Sequence, residues 1–236
     1  VAATVTRVVH PIEVRSYEIL RSRLRLEHLP PLTRAVAERV VHTTADTSWA
    51  GEVLTDEAAL RAGRAALLAG AELVVDARMV AAGVTSRASS VVLDEPGVAE
   101  LAAAEGLTRS AAGVRLAARR VPAGAVWAVG NAPTALQELL RLAAAGELSP
   151  ALVVGVPVGF VGAVESKAAL RASGLPSVST PGERGGTPVA VAVLNALLYT
   201  DLTDTDLTDT DLTDTDLTDT DLTDTDPTDT DPEAPA

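Results

Sequence analysis

The chain has 236 residues, with 32 acidic against 19 basic side chains, a net charge of -13, no Cys, and only one Phe, two Trp and two Tyr. Without Cys, neither a disulfide framework nor a thiolate metal site is available. Because basic and acidic side chains nearly cancel over the first 200 residues and aromatics are scarce, a general nucleic-acid surface is not expected.

The predicted elements begin at His10-Pro11, since Pro suits the first helical turn, and Ile12, Ile19, Leu20 and Leu24 recur at near-helical spacing. The N-terminal stretch carries Arg7, His10, Glu13 and Arg15 and lacks the apolar core of a signal peptide. No apolar run reaches membrane-spanning length, and the expected location is the cytoplasm. A second helix follows Pro30-Pro31, places Val36, Val40 and Val41 on one side, and runs out near His42. A third is predicted from Thr55 to Leu68, stopping before Gly70.

The pattern then changes. Short Val-rich runs at Leu73–Met79, Ser90–Leu93, Ala125–Val129, Leu152–Val156 and Ser177–Thr180 alternate with helical stretches at Pro133–Ala145, Val161–Ala172 and Thr187–Leu198. Such alternation predicts a three-layer α/β domain over residues 1–200, with a mostly parallel five-stranded sheet covered by helices on both faces. From Asp201 onward the sequence is a repeat of Asp-Leu-Thr-Asp-Thr, holding 13 Asp and one Glu with no basic residue. The first 200 residues therefore carry 18 acidic and 19 basic side chains, and the tail is the source of the net charge. A period of five turns each Leu by about 140° on a helix and to alternate faces on a strand, so neither form buries a stripe. Residues 201–236 are expected to be a disordered acidic extension. They lack the Gly and the bidentate Glu of an organised calcium loop.

In a doubly wound sheet, ligands gather where strands end and helices begin. Three such junctions are rich in Gly and Pro: Gly130-Asn-Ala-Pro-Thr134, Pro157-Val-Gly-Phe-Val-Gly162 and Pro181-Gly-Glu-Arg-Gly-Gly-Thr187. They offer backbone N–H groups and helix N-termini to an anion, although Gly and Pro also simply make turns. Lys167, the only Lys, and Arg184 stand nearby as cationic candidates. No nucleotide fingerprint is present. Among the three His, His42 falls at a helix C-terminus, which favours the protonated ring and suits a proton donor, or equally a capping or surface His.

The motifs Gly130-Asn-Ala-Pro-Thr-Ala-Leu136, Pro157-Val-Gly-Phe-Val-Gly-Ala-Val-Glu-Ser-Lys167 and Gly185-Gly-Thr187 leading to Asn195-Ala-Leu197 resemble the precorrin-8X methylmutase family. So do His10-Pro-Ile-Glu-Val-Arg-Ser16, Val40-Val-His42, Met79–Thr85 and Thr108-Arg-Ser-Ala-Ala112, in the same order over residues 9–198. The resemblance implies a flavodoxin-like fold and an isomerase of cobalamin biosynthesis that moves a methyl group from C-11 to C-12 of a tetrapyrrole, giving hydrogenobyrinic acid. It implies no cofactor and no metal, a homodimer with the active site at the subunit interface, and His42 as proton donor. Ser16, Thr85, Arg109, Asn131, Lys167 and Arg184 match substrate-binding positions, where Arg and Lys would answer the carboxylates fringing the ring. One departure is Glu183, where the family usually has a basic residue, so that Arg184 either pairs with it or takes over its role. Two alternatives stay open: a cobalt-containing substrate giving cobyrinic acid, and a non-catalytic corrinoid carrier that hands its ligand to the next enzyme.

Overall fold

The Val-rich runs pair into one sheet because each is bounded by turn residues and apolar on both sides. In the computed structural model, which describes residues 10–200, the strands are β1 (Leu54–Thr55), β2 (Leu73–Val75), β3 (Ser90–Val91), β4 (Val126–Val129), β5 (Leu152–Gly155) and β6 (Ser177–Ser179). They lie in the order β1-β6-β5-β4-β2-β3. All neighbours are parallel except β1, which is antiparallel to β6. The five parallel strands follow the 2-1-3-4-5 order of a flavodoxin-like doubly wound sheet.

The sheet therefore has six strands rather than the expected five. The extra one falls where the third helix was expected to begin. Asp56 is the N-cap of α3 (Glu57–Leu68), accepting from the Ala59 N–H at 2.7 Å, and this leaves Thr55 outside the helix. Thr55 Oγ1 instead donates to the Ser177 carbonyl at 2.9 Å, fixing the short edge strand. The acidic repeat lies outside the described residues.

Alternate residues of each strand feed opposite cores. Leu73, Val75, Val126, Ala128, Leu152 and Val154 pack under α2 (Pro31–Thr44), α3 and α9 (Thr187–Tyr199). Val74, Trp127, Val129 and Val153 pack under α6 (Arg109–Arg120), α7 (Pro133–Ala144) and α8 (Ala163–Ala172). Gly63 lets α3 lie close on β5, since a Cβ there would collide with the Leu152 side chain. The remaining helices are α1 (Pro11–Arg23), α4 (Arg78–Gly83) and α5 (Val98–Glu105). On α1 only Leu20 is buried, while Ile12 is 74% and Ile19 40% exposed, so its apolar side is only partly covered by this chain.

Candidate active site

His42 sits in the last turn of α2, which Pro31 starts and Ala45 ends in the left-handed conformation at φ 52°. Ser16 and Tyr17 of α1 frame the ring. Ser16 Oγ on α1 lies 2.9 Å from His42 Nδ1. The Tyr17 ring stacks on the imidazole with centroids 4.8 Å apart and planes 13° from parallel. Beside them Arg39 donates to Glu13 at 2.9 Å, and Arg21 forks onto the buried Glu38 at 3.1 and 2.8 Å. Burial raises the Tyr17 pKa above the usual phenol value, with the Arg39 charge acting in the opposite sense, so its hydroxyl is neutral at pH 7. An open cavity of about 390 Å³ is lined by His10, Ile12, Glu13, Ser16, Arg39 and His42. Ser16 engages Nδ1 of the ring, and His42 forms part of the cavity wall.

The second focus is the switch point of the sheet, between the C-terminal ends of β2 and β4. Here the first glycine-rich junction departs from its expected use. Its N–H groups point at Asp76, the residue after β2, rather than at an open anion cup. Gly130, Asn131 and Ala132 donate to the Asp76 carboxylate at 3.1, 2.7 and 2.8 Å. Asp76 is 2% exposed. Helix α7 has Pro133 at its start and no side-chain cap of its own, so this carboxylate also supplies negative charge at its N-terminal end. Asn131 Oδ1 accepts from the Thr187 hydroxyl at 2.9 Å, whereas Asn131 Nδ2 is buried without a partner.

The third junction is likewise closed from within. Lys167, completely buried on α8, donates to the Arg184 carbonyl at 2.6 Å and to Thr180 Oγ1 at 3.2 Å. Burial, reinforced by the Arg171 charge, lowers its pKa to about 8. The Arg184 side chain turns away from Glu183, reaching Asp46 at 2.6 Å, Ser48 at 3.0 Å and Glu52 at 3.3 Å, and lies 4.1 Å from the centroid of the Trp49 ring. The Asp46 carboxyl is held below its ordinary pKa, chiefly by hydrogen bonds from Ser48 and then by Arg184. Gly185 has no room for a side chain, because a Cβ would collide with the Val156 carbonyl oxygen.

Of the residues singled out from the sequence, Ser16 and His42 meet directly. Lys167 and Arg184 meet through a main-chain carbonyl, and Arg184 reaches the segment that follows His42. Asn131 is tied to Thr187 at the start of α9, just beyond Arg184. Arg109 opens α6 next to Thr108, whose hydroxyl is 2.8 Å from that of Thr134 in the Asn131 junction. Arg109 is exposed and has no hydrogen bond or ion pair among the described residues. Thr85 is exposed after α4 and makes no direct contact with these groups. Sequence reasoning missed Asp76, Tyr17 and the Glu13–Arg39 pair. An Asp closing a Val-rich strand at a switch point was the signal for the first; the others are long-range partners with no local signature. Among the described residues no group of three or more His, Asp or Glu could hold a metal, and no helix is long and apolar enough to cross a membrane.

Residues 197–226 match eight copies of the pentapeptide repeat model. The precorrin-8X methylmutase of Pseudomonas aeruginosa is 43% identical over 191 residues, spanning 78% of this chain and 91% of that protein. The cobalt-precorrin-8 methylmutase of Methanocaldococcus jannaschii is 40% identical over 190 residues, spanning 78% and 90%. The crystal structure of precorrin-8X methylmutase from Thermus thermophilus superposes with a TM-score of 0.73 at 36% identity, covering 79% of this chain and 93% of that one. With the precorrin-8X methylmutase model matching residues 11–200, the chain belongs to the precorrin-8X methylmutase family.

Proposed function

We propose that this isomerase moves the methyl group from C-11 to C-12 of precorrin-8X, with His42 as the proton donor to the ring. The observation that carries this reading is the His42 environment: Nδ1 engaged by Ser16, one ring face stacked on Tyr17, and the residue lining an open cavity. A ring fixed in this way delivers its proton from Nε2 at one angle, and a positioned acid contributes about a hundredfold to ten-thousandfold to rate. Protonation of the macrocycle by Nε2 makes it electron-poor and draws the methyl across. A proton returned to His42 leaves product and substrate with the same formula, so no cofactor is consumed.

Arg109 would meet a carboxylate of the ring edge, and Asn131 would donate a neutral hydrogen bond. Arg184 would act mainly through the segment it grips, and Lys167 through the Arg184 carbonyl. A cavity of about 390 Å³ that is open on one side is small for a tetrapyrrole. Phe160 and Val161, 89% and 88% exposed beside Val158 and Val164, together with the uncovered Ile12, support a homodimer whose second subunit completes the slot. The cytoplasm is the proposed location. Relatives carry both the metal-free and the cobalt substrate in their names. Incubating the protein separately with precorrin-8X and cobalt-precorrin-8 and following the visible spectrum decides between them. A protein that binds the ring yet leaves both spectra unchanged is a carrier, and the proposal fails.

A further inference from the structure

At the switch point of a doubly wound sheet, consecutive backbone N–H groups converge on the place where many such folds hold a phosphate. Here three of them, from Gly130, Asn131 and Ala132, already converge on the Asp76 carboxylate. Asp76 is nearly inaccessible to solvent and sits in strand register, its own N–H donating to the Ala128 carbonyl at 3.0 Å. A free anion entering this nest would meet a fixed negative charge and no unused backbone donor. The same three bonds fix the main chain of Asn131, while Thr187 fixes its side-chain oxygen. Asn131 Nδ2 is then the polar atom left over, desolvated and without a partner. A buried N–H that loses its water without gaining a partner is costly, which is reason to expect a ligand acceptor there.

We propose that Asp76 is the positioning residue for Asn131. It fills the anion nest from within and thereby converts the junction from a phosphate cup into a rigid mount offering one neutral donor, Asn131 Nδ2, to a carbonyl or carboxylate oxygen of the ligand. The consequence for specificity is rejection of phosphate-bearing ligands, such as flavin mononucleotide, at the place where the fold would otherwise accept them. The ligand half of this inference rests on the function proposed above; the nest half does not.

Asp76→Ala empties the nest without removing its donors, and formate is the smallest carboxylate that can refill it. The parent, Asp76→Ala and Asn131→Ala are melted in sodium formate and in sodium chloride of equal ionic strength. The Asp76→Ala variant should melt lower than the parent and recover in formate but not in chloride, while the other two proteins respond alike to both salts. Absorbance titration with hydrogenobyrinic acid should then show a weakening on the order of tenfold for Asp76→Ala, recovered by formate, and a similar weakening for Asn131→Ala that formate does not recover. Formate recovery is the readout that a merely destabilised fold would not give. Equal formate and chloride effects on Asp76→Ala, or parent-like affinity for hydrogenobyrinic acid in that folded variant, overturn the proposal. If Asp76→Ala folds in neither salt, Asp76→Asn takes its place: it keeps one acceptor oxygen but turns an N–H toward the donors, and unchanged affinity there overturns the proposal too. Failure of hydrogenobyrinic acid to bind the parent would instead refute the ligand reading, while the formate response still decides the nest.

Discussion

The corner built by α1 and α2 and the glycine-rich end of the sheet handle charge in opposite ways. Around His42 the surface is open: the ring lines a cavity together with Ser16 and Arg39, and Ile12 faces out. At the sheet end, the backbone donors of the first junction are consumed by Asp76 and the carbonyl of the third by Lys167. Among the described residues of these two junctions, Asn131 Nδ2 is the buried side-chain atom left over. Proton chemistry is thus expected from the helical corner, and alignment from the sheet end. Abundant glycine marks tight packing here rather than an empty anion site.

The sharpest way to break this contrast is His42→Ala. The expected loss is about a hundredfold to ten-thousandfold in kcat with product affinity largely kept; turnover within twofold of the parent would remove the acid from the helical corner. Arg109→Ala should act on affinity first, weakening hydrogenobyrinic acid binding by about 1.5–3 kcal/mol with a smaller effect on kcat. An unchanged dissociation constant in an absorbance titration would move the carboxylate contact elsewhere.

A third test concerns Lys167, whose pKa is about 8 against an ordinary 10.5. Between those two values the unfolded chain binds more protons at this position than the folded one, so its contribution makes stability rise with pH. Urea midpoints at pH 7.5 and 9.5 should show the parent gaining on Lys167→Met over that interval, with affinity affected less than in Arg109→Ala. A parent that loses ground to the variant would mean that the ammonium is stabilised, not strained, by burial. The smallest effect is expected from a chain ending at Thr200. Melting temperature and turnover should stay within error while the isoelectric point rises sharply; a lower melting temperature would show that the repeat supports the body.

The same contrast explains what the sequence made legible. Strands β2 to β6 were visible because Val and Leu cluster in runs bounded by Gly and Pro, and α2 because Val36, Val40 and Val41 share a buried side. Helix α6 was not, since its buried side consists of Ala111, Ala112, Gly113, Val114, Ala117 and Ala118, small residues that give little apolar contrast. Helix α4 has only six residues and was read as an extension of the β2 run through Met79. Strand β1, two residues long, exists by pairing with β6 more than 120 positions later, a contact that no local window contains. In the site, residue types and spacing pointed to His42 and to the glycine-rich junctions. They could not say that the charge filling the first junction comes from Asp76, or that Arg184 bypasses the adjacent Glu183 for Asp46 and Glu52.

Arg184 is held at both ends, its carbonyl by Lys167 and its guanidinium by the 46–52 segment and the Trp49 ring. Local opening of either segment therefore has to release the other, although Arg184 lies more than 130 positions from both Asp46 and Glu52. In hydrogen exchange, the amides of residues 46–52 and 180–186 should open as one cooperative unit with a shared free energy, and Arg184→Ala should split that unit into two.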